Sequence, residues 1–115
     1  MALGFGLALT SYRKAAGGGG SVGTQKAIFG FGYSSSVTAV TNLVSNTGVV
    51  ATDTAGVGTA RYELAAAGYG GDKAIFGFGY GSGLTAVTNL VSNAGVVATD
   101  TAGVGTARYA LAAAG

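Results

Sequence analysis

Carboxylates are the first groups to consider for chemistry, because they serve as general acids, general bases and metal ligands. The sequence has four of them, Asp53, Glu63, Asp72 and Asp100, and it contains neither histidine nor cysteine. A serine triad therefore lacks its base, and a zinc site lacks its usual ligands. We predict no catalytic residue, no metal site and no cofactor, and we expect that the protein is not an enzyme.

Two aspartates and two arginines recur at a fixed interval, which favours a structural task for them. Asp53 is followed by Asp100, and Arg61 by Arg108, each 47 residues later. A catalytic group is seldom needed once per repeat. The sequence therefore predicts a repeated Asp–Arg pair between turns.

Tyrosines near turns are the remaining candidates for a binding surface, since a phenol ring has an apolar face and a polar tip. Stacking on sugar rings or contact with a protein partner is one interpretation. Packing is the other, and it is the more common fate of aromatic side chains. The candidate binding residues are Tyr33, Tyr69, Tyr80, Ser34, Ser35 and Ser82.

These positions belong to a long internal duplication. Residues 26–68 and 73–115 align without a gap at an offset of 47, and 38 of the 43 positions are identical. Four of the five differences lie in "SSSV" against "GSGL" and in "SNTG" against "SNAG", where we predict turns, and loops tolerate such change. The offset falls in the range of roughly 40–50 residues that propeller blades use.

Each copy divides into four short segments with strand character. In "KAIFGFGY" the alternation predicts Phe29, Phe31 and Tyr33 on one face and Ile28, Gly30 and Gly32 on the other. "VTAVTNLVS" is rich in β-branched residues, and "GVVATDT" follows a turn. We expect the glycines and the Ala65–Ala67 run of one unit to receive the aromatic rings of its neighbour.

The fourth segment, at 60–68 and again at 107–115, is open to two interpretations. It reads as a strand, or as a short helix with Thr59 as its N-cap. We favour the strand, because two turns are marginal for a helix.

Composition and charge limit the classes of protein that fit. The chain has 115 residues, 49% of them hydrophobic, with 23 glycines, no proline and a net charge of +2. Scattered charge of this size does not predict nucleic-acid binding. The apolar start "MALGFGLAL" is shorter than the roughly 20 residues of a membrane span, and it lacks the basic region of a secretory signal.

We divide the chain into four parts. An apolar N-terminal segment at 1–16 is interpreted as an anchor or as a worn copy of the fourth strand, and a Gly-rich linker occupies 17–25. The two repeat units follow at 26–72 and 73–115.

The order "ARYELAAAGYGGDKAIFGFGY" then "VTNLVSN…VVATDTAG" resembles a degenerate kelch repeat. That resemblance implies an all-β, propeller-like fold with about four antiparallel strands per blade. The copper chemistry of kelch-like oxidases does not carry over, because its Cys and His ligands are missing. "KAIFGFGY…TNLVSNTGVVATDTAGVGTAR" is also similar to repeat arrays of uncharacterised environmental tailed phages, which implies a virion or extracellular surface.

Two units do not close a ring, since propellers close with about 4–8 blades. We therefore expect head-to-tail association of copies, or adjoining repeats of a larger array, with a β-solenoid or fibre as the alternative. The expected function is a structural or adhesion module, or a small glycan- or receptor-binding propeller.

Overall fold

The computed structural model describes residues 26–115, and all regular elements in this range are β-strands. The predicted all-β class is confirmed for this part of the chain, while the N-terminal segment and linker lie outside the described residues. The strands are β1 (Ala27–Tyr33), β2 (Val37–Val44), β3 (Ala65–Tyr69), β4 (Lys73–Gly77) and β5 (Thr88–Val91).

The five strands form two antiparallel sheets. One sheet has the order β1-β2 and the other the order β3-β4-β5. The predicted third strand of each repeat is reduced to isolated bridges, Thr41↔Thr54 and Val44↔Val50 in the first copy. Because β3 belongs to the first repeat and pairs with β4, the second sheet combines one strand of the first repeat with two strands of the second.

The "GFG" segment of β1 does not follow the predicted alternation. The β1–β2 register shifts between Gly30 and Gly32, and Phe31 between them has φ of 65°. Phe31 is 9% exposed, whereas Phe29 is 62% and Tyr33 63% exposed. The prediction of one shared environment for these three rings is therefore wrong, because the irregularity turns Phe31 inward alone.

The Ala-rich segment is a strand in the first repeat, as β3, and the described residues contain no helix. The β3–β4 turn contains Gly70 and Gly71, both at positive φ, which glycine adopts without steric cost. The equivalent residues 112–115 are not assigned to a strand. β3 has β4 as its pairing partner, and within the described residues no β-pairing involves residues 112–115.

The core spans both repeats. Phe31 and Phe76 pack edge to face with ring centroids 5.1 Å apart, and Ala39, Val91 and Val97 complete the same cluster. A Cβ built on Gly30 would lie 2.8 Å from Cζ of Phe76. The expectation that a glycine of one unit receives an aromatic ring of the other is confirmed at this position.

Candidate functional site

The most elaborate polar arrangement in residues 26–115 lies where the two repeats meet, and we call it the inner contact. At its centre is Arg61, whose exposed fraction is 0%. Its Nε donates to the carbonyl of Phe78 at 2.7 Å, Nη1 to the carbonyl of Thr59 at 2.9 Å, and Nη2 to Oδ1 of Asn89 at 2.7 Å. The guanidinium also lies 4.5 Å from the centroid of the Phe31 ring.

Burial lowers the pKa of Arg61, and the charge of Asp100 opposes that effect. An arginine titrates so far above neutrality that it stays protonated in either case. The inner contact therefore holds a buried positive charge, and its three acceptors and one aromatic face offset the cost of removing that charge from water.

Asp100 completes the inner contact without touching Arg61 through a direct ion pair. The amide of Asn89, which is fully buried, donates to Oδ1 of Asp100 at 2.9 Å and accepts from Arg61. The predicted Asp–Arg pair is thus a relay through an asparagine, and it joins the second repeat to the first rather than two groups of one repeat.

Thr59 anchors the other side of that carboxylate. Its hydroxyl donates to Oδ2 of Asp100 at 2.6 Å and its backbone N–H donates to Oδ1 at 3.1 Å. The hydrogen bond from the Thr59 side chain is the largest cause that lowers the pKa of Asp100. These roles of Thr59 and Asn89 were not predicted from the sequence, although an asparagine inside the apolar run "VTNLVS" was a usable signal, since a polar residue there needs partners.

The equivalents of these residues outside the inner contact form two half-sites. We call the half-site on the second repeat the trailing face, and it carries Thr106, Arg108 and Phe78. The Arg108 guanidinium lies 4.4 Å from the centroid of the Phe78 ring, and its Nη1 donates to the Thr106 carbonyl at 3.0 Å. We call the half-site on the first repeat the leading face, and it carries Asn42 and Asp53, joined by a 2.8 Å hydrogen bond. Arg108 is exposed, in contrast to Arg61.

The predicted tyrosines are only partly brought together. Tyr33, Tyr62, Tyr80 and Tyr109 form one row, with successive ring centroids 5.5, 5.8 and 5.7 Å apart. Tyr69 lies at the end of β3, opposite Lys73 in the register. Ser34, Ser35 and Ser82 are exposed, in the turns that follow Tyr33 and Tyr80.

A cavity of about 170 Å³ opens on the trailing face. Its walls are mostly apolar and include Ile75, Gly77, Phe78, Thr88, Arg108 and Leu111. Residues 26–115 contain no cluster of three or more potential metal ligands among His, Cys, Asp and Glu. Within the same range, no helix has the length and hydropathy to cross a membrane.

Comparison with known proteins identifies no relative: no family model, curated protein or solved structure matches the chain. The arrangement itself is suited to holding two repeats together. It combines the buried guanidinium of Arg61, the amide of Asn89, the hydroxyl of Thr59 and the carboxylate of Asp100, and each of these groups has a hydrogen-bond partner within the protein.

Proposed function

We propose that the chain is a non-catalytic structural module whose repeats join those of further copies head to tail. The observation that carries this proposal is the contrast between identical residues in different places. Arg61 is 0% exposed and Phe76 4% exposed at the inner contact, whereas the equivalent Arg108 and Phe29 are exposed at the two outer faces.

The two outer faces complement each other chemically. In the inner contact the first repeat supplies Thr59 and Arg61, and the second supplies Asn89 and Asp100. The trailing face holds Thr106 and Arg108 in the first set of roles, and the leading face holds Asn42 and Asp53 in the second. A second copy docked on the trailing face would therefore meet Arg108 with Asn42 and Thr106 with Asp53.

The backbone supports the same junction. Within the chain, β3 pairs with β4 through Ala65↔Gly77 to Tyr69↔Lys73. The equivalent segments are residues 112–115 and the start of β1 at residues 27–30, which belong to opposite faces. The free edge of β1 is of the kind that accepts an added strand from another chain, which residues 112–115 of a second copy would supply.

Two copies would supply four of the proposed blade-type units, enough for the smallest propeller ring of about 4–8 blades. An open stack of the same units is a fibre. The sequence resemblance to phage repeat arrays supports a place for such an assembly on a virion or another extracellular surface.

A second candidate function, glycan binding, is favoured by the tyrosine row. Tyr33 is 63% exposed and Tyr109 48% exposed at its two ends, and serines flank it. Aromatic faces beside hydroxyls suit stacking on sugar rings. A glycan array with the native chain and Tyr33→Ala tests this candidate: binding that depends on Tyr33 supports it, and an array without binding excludes it for the glycans present.

The solution mass of the native chain tests the structural proposal. Size-exclusion chromatography with light scattering, over a concentration series, should show species that are multiples of the 11.0 kDa chain. Electron microscopy then distinguishes closed rings from open fibres. A mass of one chain at every concentration would contradict head-to-tail assembly.

A further inference from the structure

The cavity on the trailing face corresponds to a socket in the first repeat that the ring of Phe76 already fills at the inner contact. There, the ring of Phe76 lies over Gly30 and against Phe31, and a Cβ on Gly30 would meet Cζ and Cε2 of Phe76 at 2.8 and 3.3 Å. Ile28 and Leu64 pack against the same cluster. These residues of the first repeat therefore form a socket for one phenyl ring of the second repeat.

The second repeat builds the same socket from equivalent residues. Gly77, Phe78, Ile75 and Leu111 line the outer cavity and correspond to Gly30, Phe31, Ile28 and Leu64, each 47 residues earlier. A Cβ on Gly77 would meet only Cγ2 of Thr88, at 3.2 Å, and no aromatic ring. The socket is present on the trailing face, and no ring occupies it among the described residues.

The matching ring is at the opposite face. Phe29 is the residue of the first repeat that corresponds to Phe76, and it is 62% exposed, against 4% for Phe76. A large apolar side chain in this position gains from burial. We propose that Phe29 of a second copy inserts its ring into the cavity bounded by Gly77, Phe78 and Leu111. This inference rests on the head-to-tail assembly proposed above.

The size and polarity of the cavity suit this occupant. Its volume is about 170 Å³, and an apolar cavity of roughly 150 Å³ is known to accommodate a benzene molecule. Arg108 lies at its wall, stacked on Phe78, as Arg61 is stacked on Phe31 beside the filled socket. The continuity of the contact thus identifies a second copy as the occupant.

Two complementary variants test the proposal. Phe29→Ala removes the ring but keeps the cavity, and Gly77→Val fills the place that the ring would occupy while keeping Phe29. Each variant alone should raise the concentration needed for association at least about tenfold, because one phenyl burial is lost. Mixed in equal amounts, they should form dimers that stop at two chains, since only one productive junction remains.

Val49→Ala serves as the matched control, because Val49 is also largely exposed but lies in the turn after β2 and in neither socket. Circular dichroism checks that all variants fold. If the native chain associates and Phe29→Ala associates equally well, the phenyl insertion is wrong and the head-to-tail proposal stands. If the mixture stays monomeric while the native chain assembles, the insertion is likewise overturned.

Discussion

Arg61 shows how one residue type has two roles in this molecule. Its guanidinium is enclosed by the Phe78 and Thr59 carbonyls, the Asn89 amide and the Phe31 ring, so its charge has a complete set of partners. Arg108 has the same ring contact and the same carbonyl two residues earlier, but it remains exposed. The neighbouring repeat is what turns a surface arginine into a buried one.

Arg61→Ala should therefore lower the free energy of unfolding by about 3 kcal/mol, because it leaves the buried Asn89 amide oxygen and two partly buried carbonyl oxygens without their donor. Arg108→Ala should lower it by less than about 1 kcal/mol, since exposed contacts contribute little. Urea unfolding followed by circular dichroism measures both, in the Phe29→Ala background so that association does not contribute. Equal losses for the two variants would contradict the role given to Arg61.

Asp100 makes the inner contact sensitive to acid. Its pKa is lowered chiefly by the Thr59 hydrogen bond, so its stabilisation is present above the unfolded-state value of about 3.9 and is lost as pH falls through the lower folded value. The free energy of unfolding should decline between about pH 5 and pH 2. Asp100→Asn should reduce stability at pH 7 and flatten that decline, measured by urea unfolding at each pH.

Asp53→Asn is the matched control for this prediction, and both aspartate variants are measured in the Phe29→Ala background so that association, in which Asp53 would meet Thr106 of another copy, does not contribute. Asp53 accepts from the Asn42 amide, as Asp100 does from Asn89, but no threonine donates to it among the described residues. The control should keep the acid-dependent decline of the native chain, including the part due to Asp72, whose pKa is lowered chiefly by its hydrogen bond with Lys73. A flattening as large as that of Asp100→Asn would show that the Thr59 link is not the cause.

At the scale of elements, the positions of the first two strands were accessible from the sequence, whereas the reduction of the third strands to isolated bridges and the irregularities within strands were not. β-Branched residues and turn signals predict β1 and β2 to within one residue at each end. The φ of 65° at Phe31 and Phe78 is not encoded in a local pattern, because a bulky residue adopts it only when surrounding structure requires it. The Ala-rich segment was ambiguous for a similar reason, since only its pairing with β4 makes it a strand.

The residues of the inner contact were likewise predictable from the sequence only in part. The repeat alone identified Asp100 and Arg61 as structural positions, but it could not show that their link passes between repeats through Asn89. Contacts between segments 28 residues apart depend on how the sheets pack, which a single sequence does not state.

Two equivalent glycines test the packing of these elements. Gly79 has φ of 109°, and a Cβ there would lie 2.8 Å from the Tyr62 carbonyl oxygen and 3.0 Å from Cβ of Leu64. Gly32 has φ of 113°, and a Cβ added there would meet nothing within 4 Å. Gly79→Ala should therefore destabilise the fold by about 1–3 kcal/mol more than Gly32→Ala, which adds backbone strain alone.

Thermal or urea unfolding in the Phe29→Ala background measures this difference. The Gly32 variant also has a second use, because Tyr109 of a neighbouring copy would approach Gly32 as Tyr62 approaches Gly79. Gly32→Ala should weaken association of the otherwise native chain. Equal destabilisation by both substitutions would show that the crowding at Gly79 is not what distinguishes the two repeats.

For the whole molecule, the two repeats form one complete contact and two halves of another. The inner contact joins a socket to a ring, an arginine to an asparagine, and a threonine to an aspartate. The residues equivalent to each pair are divided between the two outer faces, with one member on the leading face and the other on the trailing face. Head-to-tail assembly is the arrangement in which every one of these groups acquires the partner that its equivalent already has.

Cross-linking between copies tests this central claim most directly, because the chain has no cysteine of its own. Ala67 and Ile75 are paired between β3 and β4, and their equivalents are Ala114 and Ile28 on opposite faces. Paired residues of antiparallel strands have Cα atoms about 4.5–5.5 Å apart, within the span of a disulfide. Ala67→Cys with Ile75→Cys is the control that should close a disulfide inside one chain.

Oxidised Ile28→Cys with Ala114→Cys should give covalent multimers in steps of 11.0 kDa on a non-reducing gel, and the series should end at the number of chains in the ring if the assembly closes. Ala114→Cys alone should give no product larger than a dimer. The contradicting result is a double variant that remains a single chain after oxidation, while the Ala67→Cys and Ile75→Cys control forms its internal disulfide.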